Sequence, residues 1–303
     1  MVEQMSYTYD KTHLPFGHST AVSDSAVLDF IKTISLENFS DVDINRTFCK
    51  EYLEWIKKHS NKVTGLDEFK YAVYSQGTSE AFDKFYLKNL NRRFRIFKSE
   101  YLYHQLAWRN SKLNWNYIED EKLDSNDAVI ISYPFADTGN KHNNMDFILH
   151  NCTALGIPVL IDCAYYTISL GLEFDFNHSC ITDITFSLSK MFPVAHARIG
   201  MRLTREDDDD TLFVYEKANY QNRLGAILGL ELIRNFSPNY IVDKYKETQL
   251  EFCKLTKTEP SSTVLFGLGD KVWNDYNRGG KTNRLSFHKF LDKGVLDGSA
   301  IKQ

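Results

Sequence analysis

The sequence lacks the features that mark several classes of protein. Its five cysteines are an odd number, widely spaced and without a CxxC pair, which argues against a disulfide framework and against a zinc module. No apolar run approaches the length of a membrane span, and the N-terminus has no secretory signal pattern. Proline accounts for only six of 303 residues, and no repeat or linker divides the chain. We therefore predict a soluble, cytoplasmic protein.

The charge of the chain is also unremarkable in amount and sign. A formal net charge of -4, with 43% hydrophobic and 25% charged residues, is typical of a soluble globular protein. It gives no electrostatic reason to expect binding to nucleic acid or to an anionic membrane. The acidic run at 206–210 predicts a solvated, self-repelling loop. We expect no metal site there, since no His or Cys is nearby to complete one.

What the sequence does contain is a regular alternation of helical and strand-like segments. Amphipathic spacing predicts helices at 24–36 and 46–58. Later helices are predicted at 79–90, 101–111 and 143–155. Between them, short apolar runs predict strands at 71–74, 94–97, 113–118, 127–133, 159–162, 184–188 and 199–203. Continuously apolar strands that alternate with helices predict an α/β fold, in which a mainly parallel sheet is covered by helices on both faces.

The pattern changes after residue 212. Two long helices, at about 216–235 and 238–256, precede strands at 263–268 and 284–287, which predicts a small α+β part. We expect a large domain at 40–215, and a small domain formed by 216–303 together with the N-terminal segment 1–39.

Polar residues at strand ends are the candidate site, because ligands of open α/β sheets bind beyond those ends. Gly77, Thr78 and Ser79 stand between a strand and a helix, where a helix N-terminus and two hydroxyls suit a phosphate group. An ordinary helix cap explains them equally simply. Asp162 ends an apolar strand, where a carboxylate is costly unless it is paired. Alternatively, Asp162 caps the turn that follows the strand.

Two basic segments complete the constellation. Lys190 ends the run Ser187-Leu188-Ser189-Lys190, and a partly desolvated lysine suits covalent attachment of a ligand. The alternative is a solvated surface lysine. Ser187 and Arg198 flank it and suit phosphate oxygens. Arg284 leads an apolar strand, either to clamp a substrate carboxylate or as an ordinary surface arginine.

In order and spacing, these segments resemble the fold-type I enzymes that depend on pyridoxal 5'-phosphate (PLP), within the aspartate-aminotransferase-like superfamily. The resemblance runs from about residue 71 to 204, with a fainter echo at 284–287. It rests on three pieces, which are Gly77-Thr78-Ser79-Glu80-Ala81, the segment 156–165 (GIPVLIDCAY) and Phe186-Ser187-Leu188-Ser189-Lys190 with Arg198-Ile199-Gly200. Joint agreement of several short motifs is far more specific than any one of them.

The resemblance implies a fold and a set of roles. The fold would be a mixed, mainly parallel sheet of the seven-stranded type, sandwiched by helices, with a small α+β domain. Lys190 would hold PLP as a Schiff base, Asp162 would keep the ring nitrogen protonated, and Tyr165 would lie near the phenolic oxygen of the ring. The remaining implied roles are ring stacking by Tyr101, phosphate binding by Gly77, Thr78, Ser79, Ser187 and Arg198, and substrate carboxylate binding by Arg284. The resemblance also implies a homodimer.

Two features depart from the family pattern. The family often has an Asn-Pro-Thr-Gly turn whose Asn contacts the phenolic oxygen, and here Ala136 stands at the Asn position within 134–139 (PFADTG). The segment from Lys190 to Arg284 is also shorter than usual, which implies a shortened C-terminal region.

We therefore predict an aminotransferase that moves an amino group between an amino acid and a keto acid. Three other readings stay open. One is a PLP-dependent lyase, decarboxylase or synthase, and another is a family member that has lost catalysis. The third is a serine acyl-enzyme, because Ser187-Leu188-Ser189-Lys190 fits Ser-x-x-Lys. That chemistry needs both residues on one helical turn, whereas Pro193 and the β-rich run before Ser187 disfavour a helix there.

Overall fold

The computed structural model describes residues 13–296. The α-helices of this part are α1 (Ser25–Ile31), α2 (Ile44–Lys57), α3 (Gly77–Lys88), α4 (Tyr103–Asn110), α5 (Met145–Leu155), α6 (Thr211–Lys217), α7 (Arg223–Asn235) and α8 (Tyr240–Thr256). Its strands are β1 (Lys62–Thr64), β2 (Tyr71–Ser75), β3 (Arg93–Ile96), β4 (Trp115–Tyr117), β5 (Asp127–Ser132), β6 (Val159–Asp162), β7 (Glu173–Asp175), β8 (Ile181–Ser187), β9 (Gly200–Thr204), β10 (Glu259–Pro260), β11 (Phe266–Gly269) and β12 (Asn283–Ser286).

The central element is a seven-stranded sheet in the order β2-β9-β8-β6-β5-β3-β4. Neighbouring strands pair in parallel from β4 through β8, while β9 is antiparallel to both β8 and β2. Strand β2 therefore runs in the same direction as β8, and β9 alone is reversed. The predicted α/β fold with a mixed, mainly parallel seven-stranded sheet is confirmed. Two smaller sheets pair β1 with β7, and β10 with β11 and β12.

Helices cover both faces of this sheet, as the alternation of its apolar residues requires. Successive side chains of a strand point to opposite faces. Accordingly, Ala128 and Ile130 of β5 pack with Phe82 of α3 and Trp108 of α4. The residues between and after them belong to the other core, with residues of α2, α5 and α7. All six residues of β5 are buried, which explains why its sequence is apolar without alternation.

The carboxyl ends of six strands meet at one edge of the sheet. Because β2, β3, β4, β5, β6 and β8 share one direction, the residues that follow them emerge side by side, and the segment before β9 arrives at the same place. The register confirms this arrangement, since Gly200 pairs with both Ser75 and Ser187, and Asp162 pairs with Ser132. This edge positions the candidate site.

The predicted helix at 216–235 is wrong in its extent. The chain forms α6 and α7 instead, because Asn222 caps a new helix by accepting a hydrogen bond from the Gly225 backbone N–H at 2.9 Å. An Asn side chain that competes for backbone hydrogen bonds favours such a start over helix continuation. The division of the chain into domains 40–215 and 1–39 with 216–303 stays a prediction.

The acidic run at 206–210 is also more than the solvated loop that its composition predicts. Arg202 of β9 is 1% exposed, and its Nε lies 2.7 Å from the carboxylate of Asp183. Its two other guanidinium nitrogens pair with Asp208 and Asp210. A buried cation requires such partners, and charge composition alone does not reveal that the arginine on the strand just before the run is buried and pairs with it.

Candidate active site

A cavity of about 220 Å³ opens at the carboxyl edge of the sheet. Its walls combine residues that follow β2, β3, β5, β6 and β8 with the segment before β9. The opposite wall comes from the N-terminal segment 17–20 and from two arginines near the C-terminus, Arg278 and Arg284.

One end of the cavity is suited to a phosphate group. Thr78 and Ser79 lie in the first turn of α3, where backbone N–H groups have no partner within the helix. The guanidinium of Arg198 donates to the Ser79 hydroxyl at 2.5 Å and to the Gln76 carbonyl oxygen at 2.9 Å. Two hydroxyls, a helix N-terminus and a fixed guanidinium thus meet at one point, and each of these groups favours an anion.

Glycines make this close approach feasible. Gly77 has a φ of +71°, and a Cβ on it would lie 2.6 Å from the Arg198 guanidinium. A Cβ on Gly200, at the start of β9, would lie 2.8 Å from the Gly77 Cα. Gly77 therefore does not line the cavity, but it leaves the room in which Arg198 sits.

Ser187 does not occupy the position that we predicted for it. It is 2% exposed, its hydroxyl donates to the Ile199 carbonyl oxygen at 3.0 Å, and it accepts a bond from the Ser189 backbone N–H at 3.2 Å. Ser187 thereby braces the turn that carries Lys190. Ser187 does not line the cavity, whereas Ser189 does, and the role of Ser187 as a phosphate ligand stays a prediction that its burial disfavours. A strand residue alternates faces, and the last one in β8 points into the fold.

Lys190 projects into the middle of the cavity from the turn after β8. Its Nζ donates to the Ser19 carbonyl oxygen at 2.8 Å and lies 5.6 Å from the centre of the Tyr165 ring. Within the described part of the chain no carboxylate pairs with it. The amine is thus held by one neutral acceptor, which leaves it available to a ligand.

Tyr165 has an acidic phenol for a tyrosine. Burial acts to raise its pKa, but the positive charges of Lys190, Arg284 and Arg278 outweigh burial and lower the pKa to about 8. A tyrosine with this pKa exchanges a proton near neutral pH more readily than an ordinary tyrosine.

Asp162 is a buried acid without a cation of its own. It is 4% exposed and accepts one hydrogen bond, from the Ala164 backbone N–H at 3.0 Å. It forms no ion pair with any residue in 13–296. Burial, and then the negative charge of Glu100, raise its pKa to about 7. A carboxylate in this state favours a cationic ligand beside it.

Glu100 is a site residue that we did not predict. It is 2% exposed and lies in the segment that follows β3, four residues beyond the strand end at Ile96. Its carboxylate accepts bonds from the backbone N–H and the hydroxyl of Ser132, and from the Tyr101 backbone N–H. Because Ser132 of β5 bonds Glu100 and pairs in register with Asp162 of β6, the two acids lie on either side of the same strand end. An acidic residue just beyond an apolar strand was the available signal, as it was for Asp162.

Arg284 lies on β12 and is 4% exposed. It donates to the carbonyl oxygen of Ala136, and its guanidinium carbon lies 4.2 Å from the centre of the Phe266 ring. Its Nε has no hydrogen-bond partner. Burial, and then the nearby charge of Arg278, lower its pKa to about 10. A buried guanidinium with free hydrogen-bonding capacity favours an anionic ligand.

The structure brings most of the predicted residues to one cavity. These are Thr78, Ser79, Tyr101, Asp162, Tyr165, Lys190, Arg198 and Arg284. Ala136, at the position of the family's Asn, also lines it. Residues that we did not predict there are the segment 17–20, Leu102, Ser132, Ala164, Ser189, Ala195 and Arg278. The segment 17–20 carries no motif, and its place depends on long-range packing that the sequence does not display.

The part of the chain that the structure describes contains neither a metal-binding cluster nor a membrane-spanning helix. Across 13–296, no three His, Cys, Asp or Glu side chains are grouped so as to hold a metal ion. None of the helices in the same range has the length and apolar character required to cross a bilayer.

Comparison with solved structures shows what fold this is. The histidinol-phosphate aminotransferase from Clostridium acetobutylicum matches with a TM-score of 0.62 at 17% identity, over 88% of this chain and 92% of that one. The tyrosine aminotransferase from Leishmania infantum matches with a TM-score of 0.64 at 13% identity, over 92% of both chains. The PLP-bound C-S lyase from Staphylococcus hominis matches with a TM-score of 0.63 at 11% identity, over 96% and 92%.

The chain therefore has the fold of the fold-type I, aspartate-aminotransferase-like superfamily. The resemblance drawn from its motifs is confirmed at the level of the fold. Comparison of the sequence with protein-family models finds no match, and comparison with curated proteins finds none either.

Proposed function

We propose that the chain is a PLP-dependent enzyme that acts on amino acids, and that its reaction is transamination. The observation that carries this proposal is the convergence of Lys190, Asp162 and the Ser79–Arg198 pair on one cavity, from three different strand ends. Each group alone has an ordinary structural explanation. Together they place in one cavity an amine, an acid without an ion-pair partner, and an anion-binding group formed by Thr78, Ser79 and Arg198, which we call the anion cradle.

The residues fit the charges of this cofactor. Asp162 is buried, lacks an ion-pair partner among residues 13–296 and has a raised pKa. The protonated ring nitrogen of PLP would be the cation that stabilises this carboxylate. Thr78, Ser79 and Arg198 suit the phosphate group. Tyr165, with its lowered pKa, suits the phenolic oxygen of the ring.

Lys190 is the group that would move protons. When bound, PLP supplies an aldehyde that condenses with amines and a ring that accepts electrons from the substrate Cα. The Lys190 Nζ, once displaced by the substrate amine, would take the proton from the substrate Cα and deliver it to the cofactor carbon that had carried the aldehyde. Its hydrogen bond to the Ser19 carbonyl oxygen holds the amine over the Tyr165 ring.

Arg284 would bind the substrate carboxylate. Its Nε lacks a partner, and its guanidinium is held from behind by the Ala136 carbonyl oxygen and by the Phe266 ring. A guanidinium fixed in this way binds a carboxylate with defined geometry and orients the Cα–H bond for removal.

A lyase reaction is the second candidate, and Ala136 favours it. A methyl side chain makes no hydrogen bond to the phenolic oxygen of the ring, so the transaminase pattern is incomplete at this position. Two of the matched structures are of a C-S lyase. Both reactions begin with the same removal of the Cα proton, and the fate of the substrate separates them.

The experiment is an absorbance spectrum of the protein with PLP, followed by addition of a panel of amino acids. We expect a visible band from lysine-bound cofactor, its loss in Lys190→Ala and its retention in Lys289→Ala, which removes an exposed lysine. Conversion of the cofactor to its amine form with release of a keto acid supports transamination. Release of ammonia with the cofactor unchanged supports a lyase, and the absence of any band contradicts the proposal.

Two further proposals concern the state of the protein. We propose a homodimer, on the resemblance alone, and light scattering of the purified protein tests it directly. We also propose a cytoplasmic location. The five cysteines are buried and unbridged, which suits a reducing compartment.

A further inference from the structure

A second arginine, Arg278, faces the same cavity from the loop before β12. This loop is internally fixed. The Asn277 side-chain amide donates to the carbonyl oxygens of Gly280 and Thr282 at 3.1 and 3.2 Å and to Asn283 Oδ1 at 3.1 Å. Its Oδ1 accepts from the Gly279 backbone N–H at 2.8 Å. The loop thus presents Arg278 from a defined turn.

Arg278 makes no hydrogen bond or ion pair with any other residue of 13–296. It is half-buried and lies near Arg284, which is itself buried with an unsatisfied Nε. Two guanidinium groups that repel each other in a partly dry cavity are costly unless an anion lies between or beside them.

Two buried acids, Asp137 and Glu100, lie close enough to act on the arginines electrostatically. The charge of Asp137 interacts with both Arg278 and Arg284, and that of Glu100 interacts with Arg278. Neither acid forms an ion pair with either arginine within the described residues, and the Oδ1 of Asp137 has no donor. The two guanidinium groups can therefore still bind an anionic ligand. The α-carboxylate of an amino acid would pair with Arg284, and Arg278 would then remain able to bind a second anionic group.

We propose that Arg278 binds a second anionic group, on the substrate side chain, so that the enzyme prefers amino acids with an acidic side chain. This inference rests on the proposed function and assigns a substrate class to the same site. The shared chemistry is a second negative charge, and a carboxylate or a phosphate would supply it. The planar, five-donor fork of Arg278 suits both groups.

The test uses the PLP-loaded protein and matched pairs of amino acids. Glutamate is compared with glutamine and aspartate with asparagine, which exposes a carboxylate preference. Phosphoserine compared with serine exposes a phosphate preference. We expect kcat/KM for at least one acidic member to exceed that of its neutral partner by about tenfold or more. In Arg278→Gln that ratio should fall to near one, because the acidic member alone loses activity.

Equilibrium binding gives a readout that is independent of turnover. Succinate and butyrate are titrated against the loaded protein by calorimetry, and we expect the dicarboxylate to bind more tightly, with the difference lost in Arg278→Gln. The matched control is Lys281→Gln, which removes an exposed cation three residues along the same loop and should leave both ratios unchanged.

Each outcome separates this inference from the proposed function. A protein that never takes up PLP overturns both. A loaded, active protein that shows no preference for acidic members, or in which Arg278→Gln affects acidic and neutral members equally, overturns only the role of Arg278.

Discussion

The two walls of the cavity are held in place by different kinds of contact. On the sheet wall, Asp162, Lys190 and Arg198 each lie within three residues of a strand end, so the hydrogen-bonded register of the sheet fixes them. On the terminal wall, residues 17–20 and Arg278 belong to loops, which long-range contacts hold. One example is the bond from the Ser286 backbone N–H to the Phe16 carbonyl oxygen at 3.0 Å.

This difference divides the chemistry between the walls. The sheet wall carries the groups that suit a cofactor, and precision there comes from elements that already form the core. The terminal wall carries the groups that suit a substrate, and apart from Arg284 on β12 they stand on loops, which vary more easily than a sheet does. Changes on the sheet wall should therefore affect cofactor binding, and changes on the terminal wall should affect substrate choice.

The largest expected effect concerns Asp162 in the protein without PLP. Its pKa is about 7 in the folded chain against an ordinary value of 3.8, so the folded state keeps a proton that the unfolded chain has lost. The free energy of unfolding should therefore fall as pH rises from about 4 to about 7, by at most roughly 4 kcal/mol from this group. Urea unfolding at a series of pH values measures this slope.

The variant Asp162→Asn should flatten that slope. Glu100→Gln should lower the pH at which the loss occurs, since the Glu100 charge raises the Asp162 pKa. The control Asp29→Asn removes an exposed acid and should keep the slope of the unmodified protein. An equal slope in Asp162→Asn and the unmodified protein contradicts this account of the sheet wall.

The next effect concerns the anion cradle. Arg198→Gln removes the guanidinium that holds Ser79, and we expect the Kd for PLP to rise by about 30-fold, which corresponds to roughly 2 kcal/mol. Fluorescence titration with PLP measures it. Arg46→Gln removes a half-exposed arginine on α2 and should leave the Kd unchanged. Equal Kd values for the unmodified protein, Arg198→Gln and Arg46→Gln would show that Arg198 does not bind the phosphate group.

A pair of glycines separates backbone strain from crowding of the cradle. Gly77 and Gly156 have φ values of +71° and +65°, but a Cβ would meet Arg198 at Gly77 and nothing within 4 Å at Gly156. Both alanine variants should lose about 1 kcal/mol of stability to the left-handed backbone. Gly77→Ala alone should also lose PLP affinity, by several-fold. Equal PLP affinity in the two variants would show that the cradle tolerates the added methyl group.

The smallest effect lies on the terminal wall. Asn277→Ala frees the loop that presents Arg278, and the preference for acidic substrates should fall by about threefold, below 1 kcal/mol. PLP affinity should stay unchanged, because the side-chain hydrogen bonds of Asn277 to residues 279–283 hold the loop of the terminal wall. Paired kcat/KM and Kd measurements check both statements. A loss of PLP affinity would contradict the division of roles between the walls.

The same difference explains what the sequence could predict. Asp162 and Lys190 follow apolar runs, and strand ends in a parallel sheet meet at one edge, so local pattern sufficed to group them. The segment 17–20 and Arg278 reach the cavity through packing across the chain, which no local pattern encodes. The sequence did not show that Ser187 is turned away from the cavity, because the face on which the last residue of β8 lies depends on the register that pairs it with Gly200.

The central claim is that Lys190 is the attachment point of PLP, and covalent mapping tests it most directly. The protein is mixed with PLP, reduced with borohydride, digested and analysed by mass spectrometry. The account predicts that the cofactor mass is found on Lys190, and that Arg198→Gln lowers its yield at limiting PLP. A label on another lysine, or none on a folded protein, would contradict the account.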